Sequence, residues 1–266
     1  MVDKSEKFSW LVRIGYAARG LVYILLGYLA LSTAGSAAGG TKASFDLIQK
    51  IPMGTLVLYV AALGLLAYAA FKFISAASDV QHHGGDAMGM AKRAGDGASA
   101  VAHTLLAWTA FQFARNAGKA AGSDDGGQQA ASTVLTWDLG GLVVGVVGVG
   151  FLIGAAMQAR NAITAHFMKR VGAGAPAAVN WIGRLGHAAR AVVFLVIGWS
   201  LVKSAWFDSS AEVKGLGDAL LSLKDNGTLY TLVAVGLLLF GVFSLIVARY
   251  RIIPDVHAGD LKPSLH

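Results

Sequence analysis

A polar stripe recurs three times along a chain that is otherwise strongly apolar. Positions separated by three, six and ten residues share side chains of related chemistry in three copies: Arg13, Arg93 and Arg184; Tyr16, Asp96 and His187; Arg19, Ser99 and Arg190; and Tyr23, His103 and Phe194. These offsets stay within one broad face of a helix. Guanidinium groups bind carboxylates and phosphates, and a histidine can transfer a proton. The stripe is therefore a candidate site for an anion.

Depth separates the arginines into two groups. Arg13, Arg93 and Arg184 are most simply interpreted as cytoplasmic anchors at the membrane interface. Arg19 and Arg190 lie six residues further along, about 9 Å deeper in a helix. A charge at that depth usually faces a cavity or a partner, although a side chain that extends back to the interface remains an alternative.

The middle copy contributes Asp96 and His103, seven residues apart on nearly one helix line. His103 could relay a proton, but a hydrogen bond to a neighbouring backbone carbonyl or serine is the simpler interpretation. With Asp96 as the one anion beside Arg19 and Arg190, positive charge would remain. A bound anion, or an anionic lipid headgroup from the cytoplasmic leaflet, would neutralise it.

Composition indicates that membrane helices position this stripe. Of 266 residues, 55% are hydrophobic and only 14% are charged, against about 25% charged in soluble domains. The 34 glycines and four prolines are typical of closely packed membrane helices. The chain has no cysteine, which excludes disulfides, thiolate catalysis and cysteine-based metal sites.

Six apolar runs approach the length of about 20 residues that a membrane span needs. They are Ala17–Ala34, Gly54–Ala76, Gly97–Ala114, Leu139–Ala159, Ala188–Phe207 and Gly227–Ala248. The first run resembles a signal peptide. Because its basic pattern recurs inside the chain, we expect a retained helix.

The runs pair into three units of helix, short exterior segment and helix, with a period of about 80–90 residues. We place unit one at 8–78, unit two at 88–165 and unit three at 179–251, within one membrane domain, and expect disordered tails at 1–7 and 254–266. Phe45–Ile51 and Leu216–Leu223 predict short interfacial helices, and Gln128–Trp137 is their more polar counterpart. The fold class is therefore all-α and polytopic. If the units close around a pseudo-threefold axis, the stripes meet at a cytoplasm-facing polar mouth.

The distribution of basic residues predicts the orientation. The side that carries both termini collects 15 of the 22 basic residues and seven of the 15 acidic ones. Both termini should therefore be cytoplasmic. The same distribution explains the net charge of +7 without a nucleic-acid partner.

The pattern Arg13-x-Gly15-x-x-x-Arg19-Gly20-x-x-Tyr23, together with residues 41–68, resembles a bacterial membrane family known as a domain of unknown function, DUF1206. The resemblance covers about Trp10 to Tyr250. It implies six helices and residence in the inner membrane, and it brings no catalytic or binding residue. The middle unit departs from the pattern at Asp96, Ser99 and His103.

Other sequence features do not indicate a binding or catalytic site. His82-His83-Gly84-Gly85-Asp86 lacks a further spaced ligand pair, so we expect no metal site. Neither a nucleophile–base pair nor a phosphate-binding loop is present, so we expect neither an enzyme nor a cofactor. Gly141, Gly145, Gly150 and Gly154 predict close helix packing. Trp137 and Trp206 suit the membrane interface, whereas Trp108 and Trp199 are predicted to pack in the core.

Two functions remain open. The first is a transporter or channel for a small, anionic solute. Its candidate binding residues are Tyr16, Arg19, Tyr23, Asp96, Ser99, His103, His187 and Arg190. The second is a non-transporting scaffold, or a protein that binds lipids or another protein. A polar cavity lined by Arg19 and Arg190 would favour the first, and a dry core of leucine and glycine the second. The oligomeric state is left open.

Overall fold

Helices account for nearly all of the protein that the computed structural model describes, which comprises residues 4–32, 54–81, 83–115 and 126–253. The helices are α1 Lys4–Ser32, α2 Gly54–Ser78, α3 Ala87–Arg115, α4 Gly126–Leu135, α5 Gly140–Thr164, α6 Val179–Phe207, α7 Leu216–Leu221 and α8 Gly227–Tyr250. Two 3₁₀ segments lie at His166–Arg170 and Ser210–Glu212. Extended pairing within these ranges is confined to one antiparallel bridge between Val171 and Arg251.

Five helices within the described ranges are long and apolar enough to cross a membrane: α1, in its part Ser9–Tyr28, and α2, α5, α6 and α8. At 29 residues α3 is as long as α1 and α6. Its first third carries Lys92, Arg93 and Asp96, and small or polar residues occupy much of the remainder. This composition explains why α3 is less apolar than the five other long helices.

The ends and connections differ in detail from the sequence-based expectations. α1 begins at Lys4, inside the predicted disordered tail, and Glu6 in its first turn complements the positive end of the helix dipole. The short helix predicted at Leu216–Leu223 is α7, and α4 covers most of the polar counterpart predicted at Gln128–Trp137. The segment predicted at Phe45–Ile51 lies outside the described residues, as does the tail 254–266.

The six long helices pack in a defined order. Between units, α2 packs on α3, α5 on α6, and α8 on α1; within units, α1 packs on α2 and α6 on α8. In the described part of the chain, α3 and α5, the two helices of unit two, do not pack on each other in this way. Contacts therefore run in the order α3, α2, α1, α8, α6 and α5.

Glycines allow units one and three to close in the same manner. A Cβ on Gly15 would lie 2.7 Å from the Cα of Tyr68, and a Cβ on Gly186 would lie 2.7 Å from the Cα of Phe240. These two pairs hold equivalent positions in their units. Any larger residue would push the helices apart, so glycine is required there.

Unit two has glycines that align with packed glycines of unit one, Gly95 with Gly15 and Gly150 with Gly64, but they are not used for packing. Among the described residues, a Cβ on Gly95 or on Gly150 would meet nothing within 4 Å. The predicted packing role of Gly150 is therefore wrong. Elsewhere on α5, a Cβ on Gly145 would lie 3.3 Å from Ala205, and one on Gly154 would lie 3.1 Å from the Phe194 ring.

The tryptophans lie on the outer face of the bundle. Trp108 and Trp199 are 58% and 60% exposed, so the prediction of core packing is wrong. Each lies nine residues after the third stripe position, Ser99 or Arg190. Nine residues are two and a half helical turns, which places the indole on the opposite face. Trp137 and Trp206 are also exposed, as an interfacial position requires.

Candidate functional site

Each outer arginine of the stripe caps the second long helix of the neighbouring unit. Arg93 donates hydrogen bonds to the carbonyl oxygens of Ala76 and Ala77. Arg184 donates to that of Ile163, and Arg13 donates to those of Ala248 and Arg249. A cation at a helix C-terminus satisfies carbonyls that have no partner within the helix. Unit two is thereby linked to unit one, unit three to unit two, and unit one to unit three. The three arginines join units in addition to any anchoring role.

A second set of equivalent contacts was not foreseen from the sequence. Lys72, Gln158 and Ser244 each follow an aligned glycine of their unit by eight residues. Their hydrogen-bond partners on the next unit are Asp96, His187 and Arg19, respectively. The sequence signal that could have indicated these contacts is a polar residue at the equivalent position of the second apolar run in each of the three units.

Asp96 is 8% exposed and lies in a dense polar cluster. Its Oδ1 accepts a hydrogen bond from the Lys72 ammonium at 2.5 Å. Its Oδ2 accepts from Ser75 Oγ at 2.5 Å and from Gln81 Nε2 at 2.8 Å, and His83 Nε2 lies 3.3 Å away. The expectation that Asp96 is the anion beside Arg19 and Arg190 is therefore wrong, because Lys72 neutralises its charge.

Gln81 connects this cluster to the ends of two other helices. Its Oε1 accepts hydrogen bonds from Arg170 at 2.5 Å and from Arg251 at 2.9 Å. The Arg251 guanidinium also lies 4.8 Å from the centre of the buried Tyr16 ring. We call this cluster the Gln81 network; it comprises Lys72, Ser75, Gln81, His83, Asp96, Arg170 and Arg251.

A tight turn after α2 positions Gln81 and His83. Asp79 has a φ of 46°, and its carboxylate accepts hydrogen bonds from the backbone N–H of His83 at 2.7 Å and of Gly84 at 2.9 Å. Burial alone would raise the pKa of Asp79, but these hydrogen bonds outweigh it and hold the pKa below its ordinary value.

Arg19 is only 7% exposed, and its partners are neutral. Its Nη1 donates to the Tyr68 hydroxyl at 2.5 Å and its Nη2 to Ser244 Oγ at 3.0 Å. The buried Nε has no hydrogen-bond partner. Cζ of Arg19 lies 4.9 Å from the centre of the Phe240 ring, and Cζ of Arg190 lies 4.4 Å from the same centre. Two guanidinium groups therefore share one aromatic ring.

Arg190 contacts mainly aromatic rings. Its guanidinium lies 4.7 Å from the Phe194 ring and 5.5 Å from the Tyr23 ring, and its buried Nε is unpaired. Within the described ranges, neither Arg19 nor Arg190 forms an ion pair with a carboxylate. We call Arg19, Arg190, Tyr68, Phe240 and Ser244 the central site.

The comparisons with known proteins agree with this arrangement. The model of the family described as Domain of Unknown Function (DUF1206) matches three successive segments, 14–79, 94–165 and 185–251. The chain belongs to the DUF1206 family. Each matched segment begins one residue after an outer arginine, so the segments follow the three units. The exact domain bounds that the sequence suggested stay a prediction.

One relative of this DUF1206 protein is a Bacillus subtilis (strain 168) protein with the name "Uncharacterized protein YxxB". The two sequences are 31% identical over 261 residues, which cover 93% of this chain and 94% of the relative. No solved structure matches the chain.

The two histidines of this DUF1206 protein's stripe have different surroundings. His103 Nδ1 lies 2.7 Å from the carbonyl oxygen of Ser99, which confirms the simpler interpretation of this residue. Its ring lies 4.5 Å from the Tyr68 ring. His187 Nδ1 lies 2.5 Å from Gln158 Oε1. Because an amide oxygen only accepts, Nδ1 carries the proton, and the buried Nε2 has no partner.

All six long helices contribute to a continuous line of contacts through the central site. The line runs from His103 on α3 to Tyr68 on α2, Arg19 on α1, Phe240 on α8, Arg190 and Phe194 on α6, and Phe151 on α5. The structure thus brings together Arg19, Arg190, Tyr23 and His103. Tyr16 lies between the central site and the Gln81 network. Asp96 belongs to that network, Ser99 contacts His103, and His187 pairs with Gln158.

A groove on the surface of this DUF1206 protein lies apart from the central site. An open groove between α1 and α8 is lined mainly by Trp10, Ile14, Leu245 and Tyr250, and neither Arg19 nor Arg190 lines it. Arg13 in this groove already caps α8. Among the residues that the structure describes, no group of three or more His, Asp or Glu could hold a metal ion.

Proposed function

We propose that this protein is a polytopic inner-membrane protein that binds a small anion between Arg19 and Arg190 and carries it across the membrane. One observation carries the proposal: the guanidinium groups of the buried Arg19 and the half-buried Arg190 lie within 5 Å of the same Phe240 ring, and neither forms an ion pair among the described residues. A chain rarely retains such charges inside a membrane unless they meet a ligand or partner.

A carboxylate or a phosphate fits this arrangement best. Guanidinium groups hold these anions through paired hydrogen bonds. Tyr68 and Ser244 orient Arg19 by accepting its Nη hydrogens, so the unpaired Nε remains to bind a ligand. His103 borders the site through Tyr68 and would accept or donate a proton as an acidic ligand enters.

The proposed topology has six spans and cytoplasmic termini. α3 is the sixth span, since it is as long as α1 and packs on the apolar α2. The links between units through Arg13, Arg93 and Arg184 close in a cycle, which supports a pseudo-threefold axis. Because the chain has no cysteine, single cysteines at Gly85 and Ser210 can be labelled from either side. Labelling of both from the same side would contradict the topology.

The Gln81 network suggests a carrier rather than an open channel. The predicted cytoplasm-facing mouth is filled by buried side chains, including Asp96 and Tyr16 one turn before the central site. An anion from the cytoplasm would pass only after this network separates. The described conformation would then be the state that is closed on that side.

A non-transporting protein that binds lipids or another protein is the second candidate. The lack of packing between α3 and α5 in the described part of the chain favours it, because one side of each helix is then left without an internal partner. Flux through the protein separates the two candidates, since only a carrier moves solute between compartments.

The test is flux in proteoliposomes, measured with radiolabelled inorganic phosphate and succinate as probes. We expect uptake of at least one probe by the wild type and its loss in the Arg19→Gln, Arg190→Gln double variant. Lys224→Gln, which removes one exposed positive charge, is the matched control. Binding of a probe without flux would contradict transport and favour the second candidate.

A further inference from the structure

Unit two leaves an opening where units one and three are closed. Tyr68 and Phe240 occupy equivalent positions and pack against Gly15 and Gly186. The equivalent residue of unit two is Gly154, counted from the aligned glycines of the second helices. The aromatic side chain that closes the other two hairpins is therefore missing from this one.

The small residues on both sides of this opening are exposed. In the other two units the matching glycines pack closely on an alanine. A Cβ added to Gly64 would lie 2.5 Å from the Cβ of Ala18, and one added to Gly236 would lie 2.4 Å from the Cβ of Ala189. The matching pair in unit two is Gly150 and Ala98, and both are exposed. We call the space between α3 and α5 at these residues the unit-two gap.

The unit-two gap lies between the two ends of the line of contacts that crosses the central site. On the α3 side, His103 contacts Tyr68, which binds Arg19. On the α5 side, Phe151 contacts Phe194 at 5.3 Å, and Phe194 contacts Arg190. Each of the two helices that border the gap is thus connected through aromatic contacts to one arginine, and neither arginine has an ion-pair partner among the described residues.

The nature of the gap and the closed Gln81 network indicate how an anion would arrive. A hydrated ion gains nothing from a gap that faces hydrocarbon, whereas an acyl chain can occupy such a space without loss of apolar burial. Arg19 is more than nine-tenths buried and keeps an unpaired Nε, which suits an oxyanion at the end of such a chain.

We infer that the site between Arg19 and Arg190 accepts the oxyanion headgroup of a membrane lipid, which enters sideways between α3 and α5. The headgroup lies between Arg19 and Arg190, and the acyl chain lies in the unit-two gap beside Gly150 and Ala98. This inference rests on the proposed anion site and adds the class of the ligand and its route.

The test uses the full chain in nanodiscs of phosphatidylcholine doped with phosphatidylglycerol. Native mass spectrometry measures how much phosphatidylglycerol the released protein retains, and inorganic phosphate in a thermal-shift assay serves as the free anion. Gly95→Leu and Gly150→Leu place a side chain in the gap, where an added Cβ meets nothing within 4 Å. Gly227→Leu, at another open helical position, is the matched control.

We expect the wild type and Gly227→Leu to retain phosphatidylglycerol over phosphatidylcholine. Loss of either Arg19 or Arg190 should weaken retention about tenfold or more, because charge-assisted hydrogen bonds to phosphate are strong. Gly95→Leu and Gly150→Leu should lose the lipid but keep the thermal shift produced by phosphate.

The possible outcomes distinguish failure of the lipid inference from failure of the proposed anion site. A phosphate shift without selective retention of phosphatidylglycerol would overturn the inference and leave the proposed anion site intact. Retention that Gly95→Leu and Gly150→Leu do not change would overturn the lateral route. Absence of both signals in the wild type, or retention that does not depend on the arginines, would overturn the anion site as well.

Discussion

The Gln81 network holds a buried carboxylate, Asp96, among its cations, whereas the central site holds none. In the network, Lys72 is paired with Asp96, and Arg170 and Arg251 bind the Gln81 amide. In the central site, Arg19 and Arg190 have only neutral or aromatic partners among the residues that the structure describes. A buried charge with its partners holds helices together, whereas a buried charge without an ionic partner is available to a ligand. The carboxylate of Asp96, rather than the presence of arginine, therefore distinguishes the network from the central site.

The largest effect on stability is expected from the network. Asp96→Asn leaves the Lys72 ammonium buried without a counter-charge, which typically costs about 3–5 kcal/mol. Thermal unfolding in detergent measures this loss. The double variant Asp96→Asn, Lys72→Met should recover part of it, because it removes the uncompensated charge. A single variant as stable as the wild type would contradict the pairing.

Loss of the Gln81 amide should have the next largest effect. Gln81→Ala removes the acceptor of two guanidinium groups and a donor to Asp96. We expect a net loss of about 1.5–3 kcal/mol, the size of one hydrogen bond to a charged group, because water can replace part of this hydrogen bonding. We expect a lower unfolding temperature and faster maleimide labelling of a cysteine placed at Tyr16. Thr231→Ala, which removes an exposed hydroxyl that donates to the carbonyl of Gly227 in the same helix, serves as the control. Unchanged labelling would show that Gln81 does not close this end.

The turn that positions the network should respond to pH. The pKa of Asp79 is lower in the folded protein than its ordinary value, so its stabilising effect is present above that ordinary value and is lost as the pH falls through the folded pKa. At neutral pH, Asp79→Asn should lose about 0.5–1.5 kcal/mol. As the pH falls below about 4, the wild type should approach the variant. A difference between the two proteins that is constant with pH would contradict the role of the carboxylate.

The smallest effect on stability is expected in the central site. Arg19→Gln removes a buried charge that has no ionic partner and leaves an amide that can still bind Tyr68 or Ser244. We therefore expect a change of less than about 1 kcal/mol, of either sign, without added anion. A loss as large as that of Asp96→Asn would place Arg19 among the structural residues and remove the contrast between the two regions.

The repeated pattern was sufficient to predict the helical class and the equivalent helical positions of Arg19 and Arg190. These features depend on local periodicity, which a sequence displays directly. The role of Asp96 was not predictable, because its partner Lys72 lies on another helix, 24 residues away. Nothing in the stripe itself indicated that this carboxylate is paired outside it.

The unit-two gap was also outside the reach of pattern analysis. Gly150 and Gly154 have the spacing of a packing motif, yet whether a glycine is used depends on what faces it. Gly15 faces Tyr68, whereas Gly95 faces nothing within 4 Å. A comparison of equivalent positions across units, with an aromatic ring in two and Gly154 in the third, was the one available signal.

The central claim is that Arg19 and Arg190 bind an anion, and an anion-dependent thermal shift tests it most directly. Wild type and the Arg19→Gln, Arg190→Gln double variant are heated with increasing inorganic phosphate, with ionic strength held constant by chloride. Phosphate at a hundred times its dissociation constant should stabilise the wild type by about 2.7 kcal/mol and leave the double variant unchanged. An equal shift in both proteins, or a flat response in the wild type to phosphate and to anionic lipid alike, would contradict the account.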